Sequence, residues 1–337
     1  MRNSFSAFTI GVLLLSSCSA KVEPTSPDVS DPTPVDSTEQ QQEELPPVEE
    51  EPNYLEIFSE LYWEDQFNGE SLDESVWRIE DMDAANREIQ CYHHGSHNVK
   101  VDEEPLSGNR CLVITAMRDT CEHGCFISSG RVSTTAGSWQ QWTSTTYGRI
   151  DASMMIPPVQ SGLWPAFWMM GVSYGNDVPW PRCGELDVME MGSAKSLANN
   201  EADRRVGGAI HYWDPKWNYI SWTKSKVQDY SLQDGQFHLF TFIWTKGKLV
   251  FYVDVDKYPN AEPYCTLVLS DYNNPDEFNH PFFLIFNLAV GGLYTEIFDA
   301  SDVTALEMEG GSASMYVDYV RIYHSKDESY HHPDSID

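Results

Sequence analysis

Strand-like runs recur along most of this chain with no sustained helical period between them, and that pattern limits the fold more than any other feature. "CLVITAM" (111–117), "YGRIDASMMI" (147–156), "RRVGGAIHYW" (204–213), "PFFLIFNLAV" (281–290) and "ASMYVDYVRIYH" (313–324) are rich in β-branched and aromatic residues. "FHLFTFIWTKGKLVFYVDV" (237–255) reads as a hairpin around "TKGK", with Gly247 able to take a positive φ. No internal repeat is present. Many strands without intervening helices predict an all-β chain, folded as two packed antiparallel sheets: a β-sandwich of jelly-roll type whose broad face can curve into a cleft.

The ends of the chain differ from this body. Residues 1–17 carry one Arg and then an apolar run, too short to span a membrane and shaped as an export signal. The run closes on "LSSC", which resembles a bacterial lipobox and makes Cys18 the expected lipidation site; cleavage near Ala20 as an ordinary signal peptide is the alternative. From Cys18 to residue 53 the chain is read as a tether: residues 21–52 hold ten acids, one Lys and seven prolines. Such a segment cannot bury enough apolar surface to offset its ordering entropy. One large domain is expected over 54–325, followed by a polar tail at 326–337. The reading places the protein on a bacterial outer membrane or cell surface, held by a lipid anchor only, and acting as a monomer.

Charge narrows the partners. Of the net charge of −31, the tether supplies −9 (ten acids, one Lys), leaving −22 on the rest. So acidic a surface repels phosphate backbones, which excludes nucleic acid, and disfavours sulfated polysaccharides. Eleven tryptophans suit a neutral ligand with flat apolar faces.

The densest chemistry lies in "GELDVMEMG" (184–192), a strand-like stretch with Glu185, Asp187 and Glu190. Alternation puts Glu185 and Asp187 on one face and turns Glu190 away. Either Glu190 is an unrelated surface acid, or a β-bulge adds one residue between Asp187 and Glu190. With a bulge, the two Glu residues occupy effective positions i and i+4, about 13 Å apart on a flat strand. Side chains leaning together on a curved strand would approach about 5–6 Å, near the spacing of nucleophile and acid/base in a retaining glycosidase. Asp187 between them could orient the nucleophile, and crowded like charges would keep one carboxyl protonated.

Upstream, Trp164 and Trp168 share a strand face and read either as core packing or as stacking platforms for sugar rings. His211 and Asn287 read either as satisfied core groups or as partners of sugar hydroxyls. Setting Cys18 aside, Cys91, Cys111, Cys121, Cys125, Cys183 and Cys265 permit disulfides whose connectivity the sequence leaves open, "CEHGC" (121–125) being read as a small disulfide-closed loop.

Taken in order, "YGRIDASMMIPP", "GLWPAFWMMG", "WPRCGELDVMEMG", "HY", "FHLFTFIWT", "FYVD", "FNLAVGG" and "YVDYVRIY" closely resemble glycoside hydrolase family 16, in its laminarinase-like branch, over roughly residues 58–324. The resemblance implies a jelly-roll, a retaining endo-hydrolase and the bulged form of the acid signature. Carried over by position, it implies Glu185 as nucleophile, Asp187 as assisting acid and Glu190 as acid/base. It also implies Trp164 and Trp168 as substrate-stacking residues, His211 as the cleft histidine, and Asn86 of "ANREIQCY" at the donor subsites. Catalysis requires no cofactor; a structural calcium would use Asp318, although Gln66 stands where an acid is usual. The implied activity is endo-cleavage of a neutral β-glucan, laminarin-like β-1,3-glucan or mixed β-1,3/1,4-glucan. A strict mixed-linkage glucanase, an agarase-type galactanase and a non-catalytic sugar-binding protein are the alternatives.

Overall fold

The computed structural model describes residues 52–92, 97–118, 126–135, 146–176, 178–308 and 311–331. The expected signal segment, lipidated Cys18 and most of the tether lie outside these residues, as do the "CEHGC" loop and the end of the tail. Two sheets carry the fold, and the α-helices among the described residues are short: Tyr54–Ile57, Ala194–Ala198 and Ala305–Met308.

One sheet has seven strands, all antiparallel, in the order Tyr219–Val227, Arg205–Trp213, Glu185–Glu190, Leu163–Gly171, Phe282–Val290, Arg131–Ser133, Arg78–Ile79. The second has eleven strands, and the long closing strand Ser312–Ser325 ties it together by pairing with Arg110–Arg118, Gly148–Met155 and Phe58–Asp65. The expected hairpin is present as His238–Trp244 and Lys248–Val253. Its turn is closed by Thr245, whose N–H donates to the Lys248 carbonyl (2.9 Å) and whose hydroxyl accepts from the Lys248 N–H (3.0 Å). Gly247 in this turn is not among the glycines with a positive φ.

Alternation decides what lies between the sheets. Along Leu163–Gly171, Phe167 and Met169 are fully buried, whereas Trp164 and Trp168 on the opposite face are only half-buried. The inward residues join one hydrophobic core with Phe240, Phe242, Trp244 and Phe251 of the second sheet; Trp244 meets Phe282 edge-on at 5.3 Å. Large aromatic side chains filling the gap between two sheets are the main stabilising contribution of such a sandwich. Residues 326–331 are not a free tail: Tyr330 packs edge-on against Phe58 at 5.5 Å, and the His331 Nε2 lies 2.6 Å from the Ser325 carbonyl.

Candidate active site

The strand Glu185–Glu190 answers the question its sequence poses. Against one neighbour, Asp187 pairs with Ala209 and Glu190 with Gly207, so three steps on this strand face two on the other. Against the other neighbour, Asp187 pairs with Trp168 and Met189 with Phe167, leaving Val188 without a partner. Val188 is thus the inserted residue of a β-bulge. Glu185, Asp187 and Glu190 consequently sit opposite Met170, Trp168 and Ala166, alternate residues on a single face of the neighbouring strand.

Two further features accommodate the bulge. The hydroxyl of buried Tyr264 donates to the freed Val188 carbonyl, satisfying a polar group that the ladder has abandoned. Gly208, facing the bulge, leaves little space for a side chain: a Cβ there would stand 3.1 Å from the Asp187 carbonyl oxygen and 3.3 Å from the Phe251 ring.

The three acids line a cleft of about 590 Å³ over the outer face of the seven-stranded sheet, with Trp164, Trp168 and Trp180 among its walls. Each glutamate takes one indole N–H: Trp180 Nε1 donates to Glu185 Oε2 and Trp164 Nε1 to Glu190 Oε1, both at 2.9 Å. His211 Nε2 stands 3.6 Å from Glu185 Oε1 and 3.2 Å from Asp187 Oδ2, and its Nδ1 lies 2.6 Å from the Tyr219 hydroxyl. Apart from that electrostatic contact, Asp187 Oδ2 is buried with no donor aimed at it.

Burial dominates the electrostatics. It pushes the Glu185 carboxyl up to about 8, reinforced by the charge of Asp187 and opposed by His211. Burial raises Asp187 to about 8, and burial together with Asp187 does the same for Glu190, against the Trp164 hydrogen bond. Three acids so placed cannot all ionise near neutral pH. His211 lies beside Glu185 and Asp187.

Trp164 and Trp168 belong to the cleft rather than the core. Trp164 stacks on Tyr294 (4.7 Å, 16° between planes), and the Arg131 guanidinium lies 4.8 Å over Trp168. Asn287 is buried with its amide engaged at both ends: Oδ1 accepts from Trp168 Nε1 (2.6 Å) and Nδ2 donates to the Tyr92 hydroxyl (3.0 Å). Its geometry is that of a support that aims Trp168. Tyr92 in turn donates to Glu88 (3.2 Å), which also accepts from Gln90 (2.7 Å). Asn86 reaches the same cleft from a loop position with φ of +51°. Trp180, Tyr219, Glu88, Tyr92 and Arg131 are cleft residues absent from the expectations drawn above. Trp180 opens the quoted "WPRCGELDVMEMG", and Glu88 and Tyr92 lie within "ANREIQCY", whereas Arg131 and Tyr219 fall in no quoted family motif.

Asp318 is remote from this chemistry. It is half-buried and accepts from Asn109 Nδ2 at 3.3 Å, while Gln66 accepts from Asn68. Among the described residues, the one group of three His, Cys, Asp or Glu donors within mutual ligand reach is Glu185, Asp187 and His211. Cys91 is disulfide-bonded, whereas Cys111, Cys183 and Cys265 are free and buried.

Comparison with known proteins agrees with this geometry. The chain is 32% identical over 291 residues to glucan endo-1,3-beta-glucosidase A1 of Niallia circulans (78% of this chain, 37% of the relative). It is 30% identical over 270 residues to the clotting factor G alpha subunit of Tachypleus tridentatus (78% and 34%), so it spans little more than a third of either relative. Among solved structures, a Bacteroides ovatus mixed linkage glucan family 16 protein in complex with product superposes with a TM-score of 0.64 at 34% identity (77% of this chain, 99% of that one). The model of the glycosyl hydrolases family 16 matches residues 86–278, more than half of the sequence, and the chain therefore belongs to that family.

Proposed function

We propose that this protein is a retaining endo-glycoside hydrolase acting on β-1,3-glucan and on mixed β-1,3/1,4-glucan. The observation that carries the reading is the bulge at Val188, which puts Glu190 on the same cleft face as Glu185. In the first step a Glu185 oxygen attacks the anomeric carbon, the glycosidic C–O bond breaks, and the Glu190 proton passes to the departing oxygen. In the second, water attacks the same carbon, its proton goes to Glu190, and the bond to Glu185 breaks. Asp187 holds negative charge beside the nucleophile, and His211 offsets it. Trp164, Trp168 and Trp180 offer indole faces to the C–H faces of sugar rings.

The relatives support both linkages: one is named an endo-1,3-beta-glucosidase and another comes from mixed linkage glucan utilisation. A strict mixed-linkage glucanase is the second reading, favoured by the 34% identity to the latter. Digestion of laminarin, cereal mixed-linkage glucan and agarose, with linkage analysis of products, separates these readings; hydrolysis of agarose alone would overturn the glucan assignment. Mechanism is tested with Glu190→Ala, an activated aryl β-glucoside and azide. Retention, giving the β-glycosyl azide, supports Glu190 as acid/base, whereas an α-azide would reverse the two roles.

We further infer that Cys18 is lipidated and holds the enzyme at the bacterial outer membrane or cell surface through the acidic segment that follows it. The support is the apolar run closing on "LSSC". Cys18→Ser should move the protein from the membrane to the soluble fraction; a wild-type protein recovered wholly soluble would refute the anchor.

A further inference from the structure

We propose that the hairpin tip between Trp213 and Tyr219, with the segments facing it, forms a second glycan-binding site beside the cleft for a sugar unit of a neutral β-glucan chain. The proposal rests on the substrate class assigned above. Its centre is Trp217, which is 61% exposed and has a φ of +65°. A bulky side chain held in the left-handed backbone region is uncommon. Strain of this kind persists where the surroundings enforce it.

Here Asp214 enforces it. Its Oδ1 accepts from the Lys216 and Asn218 N–H groups, both at 2.8 Å, and its Oδ2 accepts from Asn218 Nδ2 at 2.9 Å. The Trp217 N–H donates to the Asp214 carbonyl at 2.9 Å, and the Asp214 N–H to the Asn218 carbonyl at 3.0 Å. The turn is thus ordered before any ligand arrives, which lowers the entropic cost of binding.

The indole is buttressed from within the protein. The Arg182 guanidinium lies 4.7 Å over the ring, and Trp213 meets it edge-on at 5.4 Å and 89°. Beside it is a pocket of about 340 Å³, lined by Arg182, Asp214, Trp217, Asn273, Asn274 and Glu277 among others. An aromatic platform ringed by carboxylates, amides and one guanidinium matches a pyranose, which has an apolar C–H face and a rim of hydroxyl groups. The acidic members of the rim, and the charge of the whole chain, turn away anions.

Continuity with the cleft names the occupant. Trp213 pairs across the strands with Tyr219, whose hydroxyl contacts His211. Arg182 follows two residues after Trp180, which donates to Glu185. Cleft and pocket are therefore lined by neighbouring residues of the same segments, Trp180 and Arg182 on one and His211 and Trp213 on the other, so a long glucan chain or its side branch can occupy both, whereas a short oligosaccharide fills the cleft alone.

The test uses the full chain carrying Glu185→Gln to stop turnover, run through gels containing laminarin, with and without Trp217→Ala. Retardation of the parent and a roughly tenfold weaker affinity in the Trp217→Ala protein are expected, the scale of losing one stacked ring. With Glu185 intact, Trp217→Ala should raise KM for laminarin severalfold while kcat, melting temperature and hydrolysis of a laminari-oligosaccharide of four units stay unchanged. Asn274→Ala, on the opposite rim, provides a second variant with the same expected split. Equal retardation with and without Trp217 would overturn the second site alone. A parent that passes unretarded through laminarin and mixed-linkage glucan would overturn the substrate class and this site with it.

Discussion

Two buried carboxylates, each beside a histidine, have opposite fates in this protein. Asp254, fully buried on the far side of the sandwich, accepts from His238 Nδ1 at 2.6 Å, from the Leu239 N–H at 3.0 Å and from Lys257 Nζ at 3.3 Å. Burial alone would raise its pKa, but His238, the Leu239 amide and Lys257 outweigh it and hold Asp254 below the ordinary carboxylate range. Asp187, equally out of reach of solvent, has His211 at 3.2 Å and no donor aimed at its Oδ2, and it is pushed up to about 8. The difference lies in donors supplied rather than in depth. A carboxylate with its lone pairs filled is a fixed structural anion; one left short of donors beside two other acids stays ready to exchange a proton.

The sharpest way to break this contrast is at the cleft acids. Glu190→Ala should lower kcat on laminarin by about a thousandfold or more at an unchanged melting temperature. Near-normal activity would make Glu190 a bystander and the bulge irrelevant to function. On the other side, Asp254→Ala should cost about 3–5 kcal/mol of stability, read by denaturant unfolding, because it strands a buried histidine and an amide. Its kcat, measured well below the melting temperature, should be unchanged. A stability loss under about 1 kcal/mol would show that Asp254 is not the anchor its donors suggest.

Asp187→Asn is expected to do the reverse: a loss of roughly ten- to a hundredfold in kcat with stability unchanged or raised, since one of three crowded acids is removed. A clear drop in melting temperature would put Asp187 in the structural class instead. The smallest effect is in the pH dependence of stability. The cleft acids have folded pKa values above their unfolded ones, so the native state holds more protons and their contribution to stability falls as pH rises from about 4.5 to 8. Asp254 is lowered, so its contribution is present above about pH 4 and is lost as pH falls through its folded value. Glu185→Gln should therefore gain on wild type as pH rises, while the deficit of Asp254→Ala should narrow in acid. Parallel stability curves for all three proteins would defeat this account.

How much of this was legible in the sequence depended on how far apart the interacting residues lie. The strands came from local alternation and composition, as did the shared face of Trp164 and Trp168. The bulge could be posed as a question from the spacing of Glu185, Asp187 and Glu190, but only resemblance to a family answered it. Trp180 opens the quoted "WPRCGELDVMEMG", but it lies in a loop without periodicity, so nothing local said that its indole N–H would meet Glu185. The Tyr219–His211 contact depends on hairpin register, and Tyr264 reaches Val188 across 76 residues of chain. Asn287 carried no sign of whether its amide would face a sugar or aim Trp168. The packing of Tyr330 on Phe58 was hidden in a segment polar enough to read as a tail.

The Tyr264–Val188 contact bears on how portable this active site is. The nine residues 184–192 look like a cassette that could be transplanted into any antiparallel sheet. They would not suffice. Their carbonyl at Val188 is satisfied by a side chain from outside the strand, and their crowded backbone is tolerated because Gly208 across the ladder lacks a Cβ. A designer moving the acid row to a new scaffold would have to bring a hydroxyl from behind the sheet and a bare position beside it. Without them the bulge would relax into regular pairing, and Glu190 would turn to the wrong face.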